Sequence, residues 1–258
     1  MVIYTFLMHI DFCLLASDLN DNYYGLYPYV KKAWKKIGIE TKLILISDYI
    51  PDNLKQYECD ITLFKPIENI HTAFQAQTIR LLYPCLFDNK NIIISDMDII
   101  PLSKLYFTEK IKNYSNDRFI VYRDAYIQNN MYAACYNLAN STIWKRIFSV
   151  NNENDVIQQI KSWYDPVYDG KKNCQGWFTD QKMLFKYLNT KGKAFLTILK
   201  DKELNFSRLD KRNRKYIVEN LSLVYNDIKN KCYTDFHIIR PYHKYIDIIN
   251  SVIDLIDI

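Results

Sequence analysis

Short apolar runs alternate with amphipathic stretches along the first half of the chain, and this alternation predicts β-strands joined by helices in a parallel sheet. Proline has no amide hydrogen to donate, so we expect Pro84 to end or kink the helix that contains it. Strands are predicted at Val2–Leu7, Phe12–Ala16, Lys42–Ile46, Ile61–Phe64 and Asn91–Ser95, and helices at Tyr24–Ile37 and His71–Phe87.

The second half of the chain is less regular. The charged stretch Asp201–Asn230 has no clear periodicity, and no repeat or low-complexity linker divides the chain, which indicates one α/β domain with elaborations. Strands are predicted at Phe119–Tyr122, Met131–Tyr136 and Phe236–Ile239, and helices at Ser141–Val150, Asp155–Tyr164 and Thr179–Leu188. The short apolar tail Tyr245–Ile258 is a candidate packing helix.

Composition excludes several classes of protein. Of 258 residues, 49% are hydrophobic and 15% aromatic, whereas a disordered chain is poor in aromatic residues. Five glycines are too few for a collagen-like chain or a glycine linker. The net charge of +5 is too weak to indicate nucleic-acid binding, although it suits an anionic small molecule, the edge of an anionic membrane or an ordinary solvated surface.

The six cysteines form no CxxC pair or zinc-finger spacing, and most lie in apolar runs. We therefore interpret them as reduced core residues in a reducing compartment, which favours the cytoplasm. His9 and Asp11 interrupt the first apolar run, which has no basic region or cleavage site and is interpreted as a strand. The sequence predicts no transmembrane segment and leaves peripheral membrane contact open.

Two carboxylates follow the most apolar predicted strand directly. Asp96 and Asp98 come after Asn91–Ser95, at the edge of the sheet where open α/β sheets bind ligands. Oxygen ligands suit Mg²⁺ or Mn²⁺, which share their coordination with substrate phosphates. Apolar residues flank the pair, and two like charges in such a setting are costly without a metal. A polar turn that ends the strand is the alternative interpretation.

Five short segments follow one another along the chain: Thr78–Pro84, Asp96-Met97-Asp98, Asn130–Asn137, Thr179–Leu184 and His237–His243. Together they resemble, in the same order, the central signature of the GT-A glycosyltransferases, over about residues 12 to 243. The likeness is greatest to glycosyltransferase family eight, the group of glycogenin and the lipopolysaccharide galactosyltransferases. Tyr132 replaces a family glycine, and the glycine spacer after His237 is absent.

The resemblance implies a single GT-A domain over residues 1–258, with a Rossmann-like, mixed but mainly parallel central sheet flanked by helices. About residues 1–105 would form the nucleotide-binding half, and about 106–258 an acceptor half with a C-terminal metal ligand. The implied activity is metal-dependent transfer of a sugar from a nucleoside diphosphate sugar, with UDP favoured, to an acceptor hydroxyl of a glycan, protein or lipid. The sequence does not choose between retention and inversion, although the family favours retention.

The resemblance also implies roles for individual residues. The metal, Mn²⁺ or Mg²⁺, would be held by Asp96, Asp98 and His237, with His243 as the less favoured histidine. The donor would contact Ser17, Asp18, Tyr24, Arg80, Met97 and Arg240. Asn130, Asp180 and Gln181 would be the catalytic residues.

Each of these roles has a structural alternative. Asp18 or Asp21 is suited to cap a helix, and Thr179-Asp180 to open one. Arg80 would equally form a salt bridge to an acid such as Asp96. His237 would be a packed residue, Arg240 a surface cation, and the aromatic residues Trp163, Tyr164, Tyr168, Trp177 and Phe178 part of the core rather than an acceptor wall.

Two other functions stay open. A sugar nucleotidyltransferase normally has a glycine-rich phosphate loop after its first strand, and Phe12–Asn22 contains no glycine. A non-catalytic GT-A-like carbohydrate-binding protein would have the same fold, because fold does not fix function. The motifs GxxxxGK and GxGxxG are absent, which disfavours a P-loop kinase and a Rossmann dehydrogenase.

Overall fold

The computed structural model describes residues 7–256. The predicted strand Val2–Leu7 lies outside this range except for Leu7, which forms an isolated antiparallel bridge with Ser115. In chain order the strands are β1 (Phe12–Asp18), β2 (Glu40–Ile46), β3 (Ile61–Phe64), β4 (Asn91–Ile94), β5 (Ile99–Pro101), β6 (Phe119–Val121), β7 (Asn137–Asn140), β8 (Leu196–Ile198), β9 (Arg208–Leu209) and β10 (Asp235–His237).

The helices confirm most of the predicted ones within two or three residues. The predicted helix Tyr24–Ile37 is divided at Gly25 and Leu26, and its main part begins with Pro28 in the first turn, where proline is well tolerated. The helices are α1 (Asp21–Tyr24), α2 (Tyr27–Lys36), α3 (Thr72–Leu82), α4 (Ser141–Phe148), α5 (Glu153–Trp163), α6 (Thr179–Thr190), α7 (Arg214–Glu219), α8 (Leu221–Lys229) and α9 (Ile246–Asp254).

The central sheet has the strand order β3-β2-β1-β4-β7-β6-β8. All its strands are parallel except β7, which runs antiparallel to both of its neighbours. The chain leaves β1 toward β2 on one side, whereas β4 pairs with β1 on the other. Ligands of open α/β sheets bind where neighbouring strands are connected in opposite directions, so the carboxyl ends of β1 and β4 mark the expected site.

Alternate residues of each central strand enter two separate cores. Leu15 and Ile93 face the layer that contains α2 and α9, whereas Leu14 and Ile94 face the layer that contains α3 and α4. Because both faces are covered, the central strands are apolar throughout, as the sequence indicated for β4. Pro84 ends α3, as predicted, and a short 3₁₀ turn over Tyr83–Leu86 follows.

The predicted strand Met131–Tyr136 is wrong. This apolar segment is a buried loop, and the strand β7 begins only at Asn137. Asn130 and Tyr136 have φ angles of 55° and 64°, and this left-handed conformation at both ends is incompatible with an extended strand. Asn137 Nδ2 donates hydrogen bonds to the carbonyl oxygens of Ala133 and Ala134, so these two acceptors of the loop are satisfied without a partner strand.

A second sheet of three strands, in the order β5-β10-β9, was only partly predicted. It is joined to the central sheet through Asp235 of β10, whose carboxylate is fully buried. Arg208 donates to both carboxylate oxygens, at 2.7 and 2.6 Å, and Tyr136 Oη donates to one of them at 2.8 Å. This network fixes β10 beneath the loop that precedes β7.

The cysteines agree only in part with their expected burial. All six are free; Cys13, Cys85 and Cys135 are buried, Cys174 is half-buried, and Cys59 and Cys232 are exposed. Across residues 7–256, no helix has both the length and the apolar character needed to cross a lipid bilayer.

We predict that Arg208→Met lowers the free energy of unfolding by about 3–5 kcal/mol, because it leaves the Asp235 carboxylate buried without its cation. Arg212→Met is the matched control: Arg212 also pairs with an aspartate, Asp210, but its side chain is 85% exposed, so its loss costs less than about 1 kcal/mol. Urea unfolding of both variants measures the difference. Equal losses would contradict a structural role for the buried pair.

Candidate active site

A cleft of about 520 Å³ opens at the carboxyl ends of β1 and β4, at the expected position in the sheet. Its walls come from both sheets, from α3 and from the beginning of α6. Ten of the twelve residues predicted for the site line this cleft, namely Ser17, Asp18, Arg80, Asp96, Met97, Asp98, Asp180, Gln181, His237 and Arg240.

Tyr24 and Asn130 are not among the lining residues. Tyr24 is half-buried in the single turn of α1, and the neighbouring Tyr23 lines the cleft in its place. Asn130 is exposed at the end of a 3₁₀ turn in the loop before β7. The predicted donor contact of Tyr24 and the predicted catalytic role of Asn130 are therefore not supported by the lining of the cleft.

Arg80 links two of the site's carboxylates. It lies on α3, and its guanidinium pairs with Asp96 after β4 and, at 2.7 Å, with Asp180 on α6. The alternative interpretation of Arg80 as a salt-bridge partner of Asp96 is therefore confirmed, and Asp180 is a second partner. Burial raises the pKa of the Asp180 carboxyl, and the negative charge of Asp96 adds to this rise. The charge and hydrogen bond of Arg80 and the hydrogen bond from the Gln181 amide offset it only in part.

Asp98 is the most strongly compensated acid of the site and is only 7% exposed. Its Oδ2 accepts hydrogen bonds from Arg240 Nη2 at 2.7 Å, His237 Nε2 at 2.9 Å and Lys211 Nζ at 3.0 Å. Burial alone would raise the pKa of the Asp98 carboxyl, but the His237 hydrogen bond and the charges of Arg240 and Lys211 hold it well below its ordinary value.

Asp96 and Asp98 point to different partners, although the sequence suggested that both turn toward one cation. Within residues 7–256, no three His, Cys, Asp or Glu side chains are arranged around one point as a metal site. Two carboxylates and an imidazole are nevertheless a donor set that suits Mn²⁺ or Mg²⁺. His237 lies beside Asp98, whereas His243 is exposed and outside the lining.

Several buried polar atoms at the cleft have no hydrogen-bond partner in the structure. They are Ser95 Oγ, Gln181 Oε1, His237 Nδ1 and Arg240 Nε. Buried polar groups are nearly always paired in folded proteins, and exceptions call for an explanation. A polar ligand in the cleft supplies one, because Gln181, His237 and Arg240 all line it.

The far end of the cleft is formed by the loop after β1. Asp18 Oδ2 accepts a hydrogen bond from Thr72 Oγ1 at 2.9 Å, so the start of α3 fixes the orientation of this carboxylate. The side chain that caps α1 belongs to Asn20, not to Asp18 or Asp21. Next to this loop, the Arg240 guanidinium lies over the ring of Tyr23, 4.0 Å from its centroid.

Asp180 and Gln181 lie in the first turn of α6. Phe178 precedes the helix without a side-chain cap, and Asp180 Oδ1 accepts from the Gln181 amide at 2.8 Å. Of the aromatic residues considered for an acceptor wall, Trp177 lines the cleft, whereas Trp163 and Tyr168 are buried in the core. Of the five aromatic residues considered for the wall, only Trp177 is among the residues that line the cleft.

Two solved structures of one glycosyltransferase share this architecture. GlyE from Streptococcus pneumoniae TIGR4, a glycosyltransferase, aligns with a TM-score of 0.51 and 12% identity over 96% of this chain and 63% of the GlyE chain. Its apo form gives a TM-score of 0.50 and 11% identity, over 95% and 62% of the two chains. The chain has the GT-A glycosyltransferase fold. It spans less than two thirds of the GlyE chain.

The galactosyltransferase LgtC, in complex with donor and acceptor sugar analogues, aligns with a TM-score of 0.44 and 13% identity over 95% of this chain and 96% of its own. No protein-family model and no curated protein sequence matches the chain.

Sequence reasoning missed two residues of this GT-A cleft that carry chemistry. Nothing in the sequence pattern distinguishes Tyr23 from Tyr24. The orientation of the single turn of α1 determines that Tyr23, and not Tyr24, lines the cleft. Lys211 lies in the unassigned charged stretch Asp201–Asn230, where one lysine among many gives no signal. Only the pairing of β9 with β10 brings that stretch to Asp98.

We predict opposite pH dependences for two isosteric variants of this cleft. The folded-state pKa of Asp180 is raised, so its contribution to stability is present below the unfolded pKa of about 3.9 and is lost as pH rises. The folded-state pKa of Asp98 is lowered, so its contribution is present above about 3.9 and is lost as pH falls.

The stability advantage of the wild type over Asp180→Asn should therefore shrink as the pH rises above about 4, whereas the advantage over Asp98→Asn should shrink as the pH falls below about 5. Urea unfolding across this range measures both. Parallel pH profiles for the two variants would contradict the assigned electrostatics.

Proposed function

We propose that this protein is a metal-dependent glycosyltransferase that transfers a sugar from a nucleoside diphosphate donor, with UDP favoured, to an acceptor hydroxyl of a glycan, protein or lipid. The observation that carries the proposal is the grouping at the ends of β1 and β4: Asp98 beside His237, and Arg80 linking Asp96 to Asp180. The GT-A fold is consistent with it.

The proposed donor site has three parts along the cleft. Ser17 and Asp18 would bind the base and ribose, since Thr72 fixes the Asp18 carboxylate in place. Asp98, His237 and Arg240 would lie at the diphosphate. Asp180 and Gln181 would lie at the sugar, where the unpaired Gln181 Oε1 would accept a hydrogen bond from a sugar hydroxyl.

Asp96, Asp98 and His237 would hold Mn²⁺ or Mg²⁺. A bound cation supplies Lewis-acid stabilisation of the negative charge that develops on the leaving diphosphate. To join this set, Asp96 would have to exchange its Arg80 contact for the cation. Arg240 would contribute a second positive charge to the leaving group, and Tyr23 supports its guanidinium.

Asp180 is the proposed catalytic residue. Arg80 and the Gln181 amide each bind one of its carboxylate oxygens, so its orientation is fixed before the donor binds. In a retaining transfer, which we favour, its charge would stabilise the oxocarbenium-like sugar while the leaving phosphate accepts the proton of the acceptor. In an inverting transfer it would be the general base for that hydroxyl.

We predict that UDP binds the purified protein in the presence of Mn²⁺ and not in EDTA, and that GDP binds more weakly. Isothermal titration calorimetry measures all four combinations. Asp98→Asn is expected to abolish the difference between Mn²⁺ and EDTA. If neither nucleotide binds in either condition, the proposal is wrong and the non-catalytic carbohydrate-binding alternative takes its place.

We predict that Asp180→Asn lowers the turnover number at least about 10²-fold and leaves UDP affinity within about threefold, because the side chain acts at the sugar and not at the nucleotide. Release of UDP from UDP-sugars in the absence of an acceptor provides an assay before the acceptor is known. Asp117→Asn, which changes an exposed carboxylate before β6, is the matched control. Unchanged turnover in Asp180→Asn would remove this residue from the reaction.

A further inference from the structure

Lys211 lies in the cleft although no sequence motif predicts it. It begins the short 3₁₀ turn that follows β9, and β9 pairs with β10, the strand that carries His237. Its ammonium nitrogen is 3.0 Å from Asp98 Oδ2, and 29% of its side chain is exposed to solvent. A lysine side chain therefore lies on the carboxylate that would bind the divalent metal.

The carboxylate oxygen that Lys211 contacts accepts hydrogen bonds from more donors than it has lone pairs in favourable directions. A carboxylate oxygen offers about two lone-pair positions, whereas Asp98 Oδ2 has Arg240, His237 and Lys211 within 3.0 Å. Lys211 is the farthest of the three and has the most exposed side chain. Arg240 is additionally held against the Tyr23 ring, so Lys211 is the donor that leaves most easily.

We propose that Lys211 is an exchangeable diphosphate-binding residue, which rests on Asp98 in the absence of donor and moves to the donor's diphosphate when a divalent cation binds Asp98. The inference rests on the proposed function. A metal and an ammonium cannot share one carboxylate oxygen without strong repulsion. The flexible four-carbon stem of lysine lets the ammonium reach a new acceptor nearby, and phosphate oxygens are good acceptors for it.

The exchange couples the two ligands. Without the donor, Lys211 competes with the metal for Asp98, so metal alone binds weakly. With the diphosphate present, the displaced ammonium gains a new partner, so metal and donor strengthen each other's binding by the same factor. In this arrangement the cleft admits the metal together with the diphosphate and disfavours the metal alone.

The test compares Lys211→Met with Lys215→Met, which makes the same change at an exposed lysine of α7. Binding of Mn²⁺ alone is measured from the electron paramagnetic resonance signal of free Mn²⁺, and UDP binding by calorimetry at saturating Mn²⁺. For Lys211→Met we expect Mn²⁺ alone to bind about tenfold more tightly and UDP about tenfold more weakly. Lys215→Met should leave both affinities unchanged.

Two failures are distinguishable. If the wild type shows Mn²⁺-dependent UDP binding and Lys211→Met behaves like Lys215→Met, the role of Lys211 is overturned and the proposed function stands. If the wild type binds neither Mn²⁺ nor UDP, the proposed function fails and this inference with it. Should Lys211→Met not fold, Lys211→Gln is measured in the same way, since it also removes the charge and has the same expected outcome.

Discussion

The cleft depends on the compensation of buried carboxylates. Asp98 and Asp180 are both buried, and an isolated carboxylate in such surroundings is costly unless cations and hydrogen bonds face it. Each acid takes its partners from other chain segments: Asp180 from α3, and Asp98 from β10 and from the turns after β9 and β10. Compensating these charges thus holds together elements that the central sheet alone would leave separate.

The same arrangement explains why the second sheet is needed. His237 reaches Asp98 because β10 is fixed by the fully buried Asp235. Arg208 binds this carboxylate from the neighbouring strand β9, and Tyr136 binds it from the loop before β7. Tyr136 has a left-handed backbone conformation, which is unfavourable for a bulky residue and persists where the surroundings enforce it. The side chain of Tyr136 binds Asp235 of β10, the strand that carries His237.

Sequence patterns predicted the first half of the fold, where the spacing of apolar residues matches the positions that are buried in the structure. Strands β1 to β4 and helix α3 have apolar runs whose length and spacing leave little choice, and the acidic pair after β4 follows from them. The patterns failed at Met131–Tyr136, because an apolar run with good strand formers is indistinguishable from a buried loop until the φ angles of its end residues are known. The short strands β5, β8 and β9 are too brief to produce a pattern, and long-range pairing determines them.

The site was predictable wherever a motif places the chemistry in one segment, as in Asp96-Met97-Asp98, and unpredictable where it arises from several. Lys211 lies 113 residues from Asp98 along the chain. Its neighbours Arg212, Arg214 and Lys215 are also basic residues, but they are exposed. Only the pairing of β9 with β10 selects one of these four cations. A residue outside every recognisable motif, such as Lys211, can therefore change the charge at the proposed metal and diphosphate site. In this chain Asp98 meets three cationic or imidazole donors before any ligand binds, so competition with its own side chains would set the affinity for a metal.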